Sequence, residues 1–171
     1  MKRVYLIGMP GSGKSAVGAR LAVLLRLPFV DLDEEIEREG GMTVTQLFAE
    51  KGEPYFRELE SRLLRTWAER SHAFVMATGG GAPCFHNGID IINRSGVSIF
   101  LDVPPSVLAA RIADEQHRPL IKSSEREQTL TALLQQRRPV YEAAQHTVTA
   151  AGTPEQVAED ILKWLEGYAQ G

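Results

Sequence analysis

The residues best equipped for chemistry stand at positions 8–15, Gly8-Met9-Pro10-Gly11-Ser12-Gly13-Lys14-Ser15, a full match to the pattern GxxxxGK[ST]. In that spelling the glycines let successive backbone N–H groups turn inward on phosphate oxygens. The lysine reaches the β- and γ-phosphates, and the last hydroxyl ligates Mg²⁺. Gly11, Ser12, Gly13, Lys14 and Ser15 are therefore the expected ligands of a nucleoside triphosphate, with Ser15 also on the metal. The apolar run Val4-Tyr5-Leu6-Ile7 precedes the loop, and Ala16, Val17, Leu21, Ala22, Leu24 and Leu25 follow it at helical spacing. An anion held there would sit at a helix N-terminus. A purely structural glycine turn accounts less well for strand, loop and helix in that order.

Three further groups bear on the acceptor. Asp31 and Asp33 close the run Phe29-Val30-Asp31-Leu32-Asp33, and a spacing of two places both on one side of an extended chain. Taken alone, Asp33 reads as the N-cap of a helix beginning at Glu34; beside a phosphate loop, a role for the pair in Mg²⁺ or substrate binding competes with that. Thr78-Gly79-Gly80-Gly81 follows the apolar run Ala73–Ala77. Three glycines in a row sacrifice backbone entropy, which close approach to a ligand explains better than a mere turn. No acidic residue ends that run, so Asp31 is the expected second Mg²⁺ contact, through water. Arg57 and Glu60 lie one helical turn apart; by themselves they read as a surface ion pair worth little, and functionally as an arginine held to clasp a carboxylate.

The elements that must position these groups alternate. Strands are predicted at Val4–Ile7, Phe29–Leu32, Ala73–Ala77, Val97–Leu101 and His146–Thr149. Helices are predicted at Lys14–Arg26, Glu34–Glu39, Thr43–Lys51, Glu53–Arg70, Pro105–Ala113, Glu125–Arg138 and Pro154–Tyr168. Alternation of this kind implies an α/β fold, a three-layer αβα sandwich around a five-stranded parallel sheet. In the fourth helix Tyr55, Phe56, Leu59, Leu63 and Trp67 form the expected core stripe. One domain over residues 1–171 is expected, with an inserted substrate-binding segment at 33–61 and a polar lid at 112–124.

Composition narrows the classes. A hydrophobic share of 43% in 171 residues supports one folded core, which excludes a disordered chain. The net charge of −3 leaves no basic field for nucleic acid, so an anionic ligand must be held by local arginines and backbone dipoles. The apolar run behind Lys2-Arg3 is too short for a signal peptide or a membrane span; a cytoplasmic monomer with no nucleic-acid or membrane partner is expected. Cys84, the single cysteine, excludes an internal disulfide and fits a reducing compartment. His72, His86, His117 and His146 lack metal-ligand spacing and read as surface or loop residues.

Together the pieces resemble the shikimate kinases, small P-loop enzymes of the nucleoside-monophosphate-kinase type. The resemblance rests on the ordered set GMPGSGKS, Asp31-Leu32-Asp33-Glu34-Glu35-Ile36-Glu37, Phe56-Arg57-Glu58-Leu59-Glu60, Gly79-Gly80-Gly81, Arg118-Pro119-Leu120 and Arg137-Arg138-Pro139-Val140-Tyr141. It implies phosphoryl transfer from ATP, with Mg²⁺, to the 3-hydroxyl of shikimate. It further implies that Asp33 takes the shikimate hydroxyls, Arg57 and Arg137 its carboxylate, and Gly79, Gly80 and Gly81 its ring. Lys14, Asp33 and the lid residue Arg118 would serve the transfer, Arg118 reaching the transferred phosphate. Arg111 and Pro154 would flank the adenine, and the phosphate site would extend to Ala16, where such families often carry a hydroxyl. A kinase for another small polar acceptor, such as gluconate or a nucleoside monophosphate, and a nucleotide-switched binding module remain open alternatives at this point.

Overall fold

The apolar runs become the strands of one five-stranded sheet, ordered β2-β3-β1-β4-β5, and every pairing is parallel. A computed structural model describes residues 3–116 and 123–170. Along the chain run β1 (Arg3–Ile7), α1 (Lys14–Leu25), β2 (Phe29–Asp31), α2 (Leu32–Gly40), α3 (Val44–Lys51), α4 (Glu53–Ala68) and β3 (Val75–Ala77). A short 3-10 turn (Ala82–Cys84) leads to α5 (Gly88–Ser95), β4 (Gly96–Asp102), α6 (Pro105–Gln116), α7 (Ser123–Tyr141), β5 (His146–Thr149) and α8 (Pro154–Ala169). Helices cover both faces of the sheet, which is why the central strands are apolar without alternation: Tyr5, Leu6, Ile7, Val75, Met76, Ile99, Phe100 and Leu101 are all buried.

Register makes the motifs converge. Leu6 pairs with Ala77, and Ala77 with Asp31, so β1, β2 and β3 end at one level. The phosphate loop, Asp31 and the triple glycine thus leave the sheet side by side, at the carboxyl edge where open α/β sheets bind ligands.

Several expectations are corrected. The strand predicted at Phe29–Leu32 ends at Asp31, and α2 begins at Leu32. Its N-cap is Asp31, whose carboxylate accepts from the N–H groups of Asp33 and Glu34; Asp33 is already inside the first turn and is not the cap. The third strand starts at Val75 and not at Ala73. Tyr55 stands exposed while Phe56, Leu59 and Leu64 are buried, because the inward stripe of α4 also accommodates Arg57 and Glu60 and is rotated accordingly. The sequence reading missed α5, whose β-branched Ile89, Ile91 and Ile92 disguise a helical face. Helix α7 runs through Pro139 to Tyr141, three residues past its predicted end.

Candidate active site

The phosphate loop joins β1 to α1 through Gly13, the helix N-cap, which adopts left-handed φ 92°. That conformation suits glycine and disfavours any residue with a Cβ. No side chain caps α1, whereas Asp31 caps α2 and capping boxes on Thr43 and Thr153 close α3 and α8. The first-turn N–H groups of α1 therefore stay available to an anion. Lys14 is buried, and its Nζ donates to the carbonyls of Gly8 (2.7 Å) and Met9 (2.9 Å). Burial lowers its pKa to about 8, with Asp33 opposing the shift and Arg137 adding to it.

The two candidate metal ligands face each other, the Ser15 hydroxyl donating to Asp31 Oδ2 at 2.8 Å. A hydroxyl and one carboxylate suit Mg²⁺, which keeps waters and substrate phosphates as its remaining ligands. Among the described residues no cluster of three or more His, Cys, Asp or Glu side chains offers a metal site built from protein alone. The other Asp31 oxygen accepts from the Asp33 N–H at 3.0 Å. Asp33 in turn points at the triple glycine; burial raises its pKa, and the Asp31 charge adds to the shift.

The triple glycine is surrounded by charge. None of its members has positive φ, so space and not backbone conformation is what the glycines provide. A Cβ at Gly79 would lie 3.0 Å from Asp33 Oδ1 and 3.0 Å from Glu60 Oε2; one at Gly80, 2.9 Å from Pro10 Cδ and 3.0 Å from Arg137 Nη1; one at Gly81, 2.7 Å from Arg57 Cζ. A side chain at any of the three would displace a residue of the site.

Arg57 and Glu60 are not the surface pair that their spacing alone suggests. They are 8% and 2% exposed. Arg57 donates from Nη1 to Glu60 Oε1 at 3.0 Å and from Nε to Glu53 Oε1 at 3.3 Å, while its Cζ lies 4.1 Å from the centre of the Phe85 ring. Glu60 Oε2 has no hydrogen-bond partner among the described residues. Burial pushes the Glu60 pKa up to about 7 against the pull of Arg57. Phe85 carried no signal in the sequence, since its contact with Arg57 arises from tertiary packing.

On α7 the neighbouring arginines diverge. Arg137 faces Gly80. Arg138 pairs with Asp102, Nη1 to Oδ2 at 3.2 Å and Nη2 to Oδ1 at 3.3 Å, at the end of β4. Of the two neighbours, Arg137 is thus the one that stands beside the triple glycine. Tyr141, one turn beyond Arg137 and the last residue of the motif 137–141, is fully buried and donates to the Gly80 carbonyl at 2.6 Å; the sequence places it in the motif without giving it a role, and its i+4 spacing from Arg137 is the signal that ties it to the pocket.

Beside the phosphate loop, a cleft of about 230 Å³ is lined by Gly11, Ala16, Arg111, Ala150 and Pro154 among others. Arg111 spans it, donating to the Gly11 carbonyl at 3.2 Å and the Ala150 carbonyl at 3.4 Å. A wider cleft of about 640 Å³, lined by Arg3, Arg65 and Arg94, contains none of the motif residues. His146 opens β5, where a strand is expected, with its ring stacked 4.4 Å from that of Trp164. Arg118, with the rest of residues 117–122 of the expected lid, lies outside the described residues.

A parallel sheet whose first strand enters a phosphate loop, with carboxylates and arginines converging on the adjoining strand ends, defines a P-loop kinase fold. The chain belongs to the shikimate kinase family, whose model matches residues 10–166. A shikimate kinase from Aquifex aeolicus is 38% identical over 169 residues, with 99% of each chain covered. Another, from Cereibacter sphaeroides, is 43% identical over 96% of this chain and 82% of its own length. The structure of shikimate kinase from Acinetobacter baumannii in complex with shikimate matches with a TM-score of 0.89 at 35% identity, covering 98% of this chain and 94% of that one.

Proposed function

We propose that the chain transfers the γ-phosphoryl group of ATP to the 3-hydroxyl of shikimate, giving ADP and shikimate 3-phosphate. The observation that carries this reading is the convergence of Asp33, Arg57 and Arg137 on the triple glycine beside the phosphate loop. Arg57 and Arg137 suit a carboxylate. Asp33, whose charged form is disfavoured by burial, suits an acceptor hydroxyl: it orients the attacking oxygen and takes its proton. The new bond joins that oxygen to the γ-phosphorus, and the bond from the γ-phosphorus to the β,γ-bridging oxygen breaks.

Such transfers pass through a loose transition state, so alignment and charge neutralisation matter more than base strength. Lys14 and the N–H groups of residues 11–15 hold the phosphates, and the lid, with Arg118, excludes water and approaches the transferred group. Ser15 and Asp31 would hold Mg²⁺, which when bound neutralises charge on the β- and γ-phosphates. Arg111 and Pro154 flank the adenine in the cleft that also borders Ala16. In this reading the segment 33–61 binds the acceptor and 112–124 closes over the nucleotide within one domain. In this reading the chain works as a monomer in the cytoplasm; no described helix is long and apolar enough to cross a membrane.

ADP release measured with shikimate, gluconate and nucleoside monophosphates as acceptors tests the reading. Shikimate should give the fastest turnover. Faster turnover with another acceptor would overturn it.

A further inference from the structure

We propose that Tyr141 is a positioning residue for the acceptor pocket, its hydroxyl holding Arg137 and the Gly80–Gly81 peptide in the orientation that grips a substrate carboxylate. The inference rests on the reading of that pocket given above. Tyr141 is fully buried, with its ring 5.1 Å from that of Phe100. Its Oη donates to the Gly80 carbonyl at 2.6 Å, Met9 Sδ of the phosphate loop lies 3.9 Å away, and the Arg137 guanidinium, which stands against Gly80, opposes the burial that raises the phenol pKa. The one proton of the phenol is thus engaged on Gly80, and its lone pairs remain for a donor such as the neighbouring guanidinium.

The peptide between Gly80 and Gly81 is planar, with its C=O and N–H pointing in opposite directions. Turning the Gly80 carbonyl onto α7 turns the Gly81 N–H away from α7, and that N–H finds no acceptor among the described residues. The same hydroxyl fixes Arg137 from one helical turn away. A guanidinium beside the phenol polarises the phenol-to-carbonyl bond and is drawn toward the phenol oxygen in turn. An arginine already held in place loses less freedom when an anion arrives, so affinity rises without a new contact to the ligand. Burial raises the phenol pKa to about 12, so the hydroxyl stays protonated and keeps donating across the physiological range.

Tyr141→Phe keeps the ring and removes the hydroxyl. Expected are a shikimate KM and Kd raised about tenfold, a kcat within about threefold of wild type, and an unchanged ATP KM. The methyl ester of shikimate, which lacks the anionic carboxylate, should bind wild type and variant alike. A purely structural tyrosine would instead lower the melting temperature, depress kcat and penalise acid and ester equally. That pattern, an unchanged shikimate KM, or a variant that does not fold would each overturn the proposal. Wild type assayed in parallel separates the two levels: if it does not phosphorylate shikimate, the reading of the pocket fails, whereas an unaltered variant beside an active wild type rejects the role of Tyr141 alone.

Discussion

The phosphate loop occupies consecutive residues and offers mostly backbone, whereas the pocket beside it gathers Asp33 from α2, Arg57 and Glu60 from α4, and Arg137 and Tyr141 from α7. Both stand on the same sheet edge. In the loop the groups facing a ligand are N–H donors fixed by a glycine turn and a helix start, with Lys14 the one buried cation. In the pocket they are charged side chains held by one another and by aromatic rings. The first arrangement depends on the left-handed glycines and one lysine within a single short segment. The second depends on partners far apart in sequence, so a single truncation there strands a buried charge.

Replacing the loop's cation should give the largest effect. Lys14→Met should leave a folded protein whose turnover falls about a hundredfold or more, the usual consequence of losing one electrostatic stabiliser; ADP release and a melting curve together check it, and normal turnover would remove Lys14 from the transfer. In the pocket, Arg57→Ala should weaken shikimate binding by about 2–5 kcal/mol, as expected when one partner of a buried charge pair is removed, and leave nucleotide binding intact. Calorimetric titration with each ligand measures both. Equal loss of nucleotide affinity would erase the contrast between the two regions.

The arginine pair on α7 sharpens the comparison within one helix. Arg137→Ala should weaken shikimate binding about tenfold or more. Arg138→Ala, which removes a half-exposed pair with Asp102, should change it by less than about threefold, in line with the small worth of such pairs. The reverse order, read from the same titrations, would put the wrong arginine in the pocket.

Glu60 supplies a smaller and pH-dependent test. Its pKa stands at about 7 against an ordinary 4.5, so between those values the folded chain keeps a proton that the unfolded chain has released. Its stabilising contribution is complete below the lower value and is lost as pH rises through the upper one. Melting temperatures of wild type should therefore decline over that window relative to Glu60→Gln, which cannot titrate; parallel curves would contradict the shift. The smallest effect belongs to the loop. Lys14, lowered to about 8 from 10.5 by burial, titrates with the opposite sign: its charged form burdens the fold until pH rises through that interval. Polyphosphate favours the ammonium, so ADP binding near pH 8 should take up a fraction of a proton. Calorimetry in two buffers of different ionisation enthalpy reads it directly, and equal heats would contradict it.

The same contrast explains what could be read from the residues alone. The loop is legible because its chemistry is contiguous: glycine, lysine and hydroxyl at fixed offsets need only a strand before and a helix after them. The pocket is legible in its members but not in its construction. Arg57 and Glu60 read as a solvated pair because helical spacing reports their separation and not their burial. Tyr55 was expected inside because the apolar spacing of α4 cannot reveal that a charged pair claims part of the inward face. The cap of α2 was misplaced by two residues because Asp31 and Asp33 are equally good capping residues, and the end of β2, set by pairing with β3, decides between them. Helix α5 escaped notice because Ile89, Ile91 and Ile92 belong as well to a strand as to a buried helical face.

Asp31 divides its two oxygens between tasks. Oδ1 receives the N–H groups that start α2, and Oδ2 receives the Ser15 hydroxyl. An amide of the same size has one acceptor atom where a carboxylate has two. Asparagine at this position would have to choose: with its oxygen on the helix it would turn an NH₂ group toward a cation, and with its oxygen on the cation it would press that NH₂ group against the backbone donors of the first turn. The substitution that looks most conservative on paper is thus one the local chemistry cannot accommodate, and position 31 binds the start of the helix carrying Asp33 to the same atom set that would meet the metal.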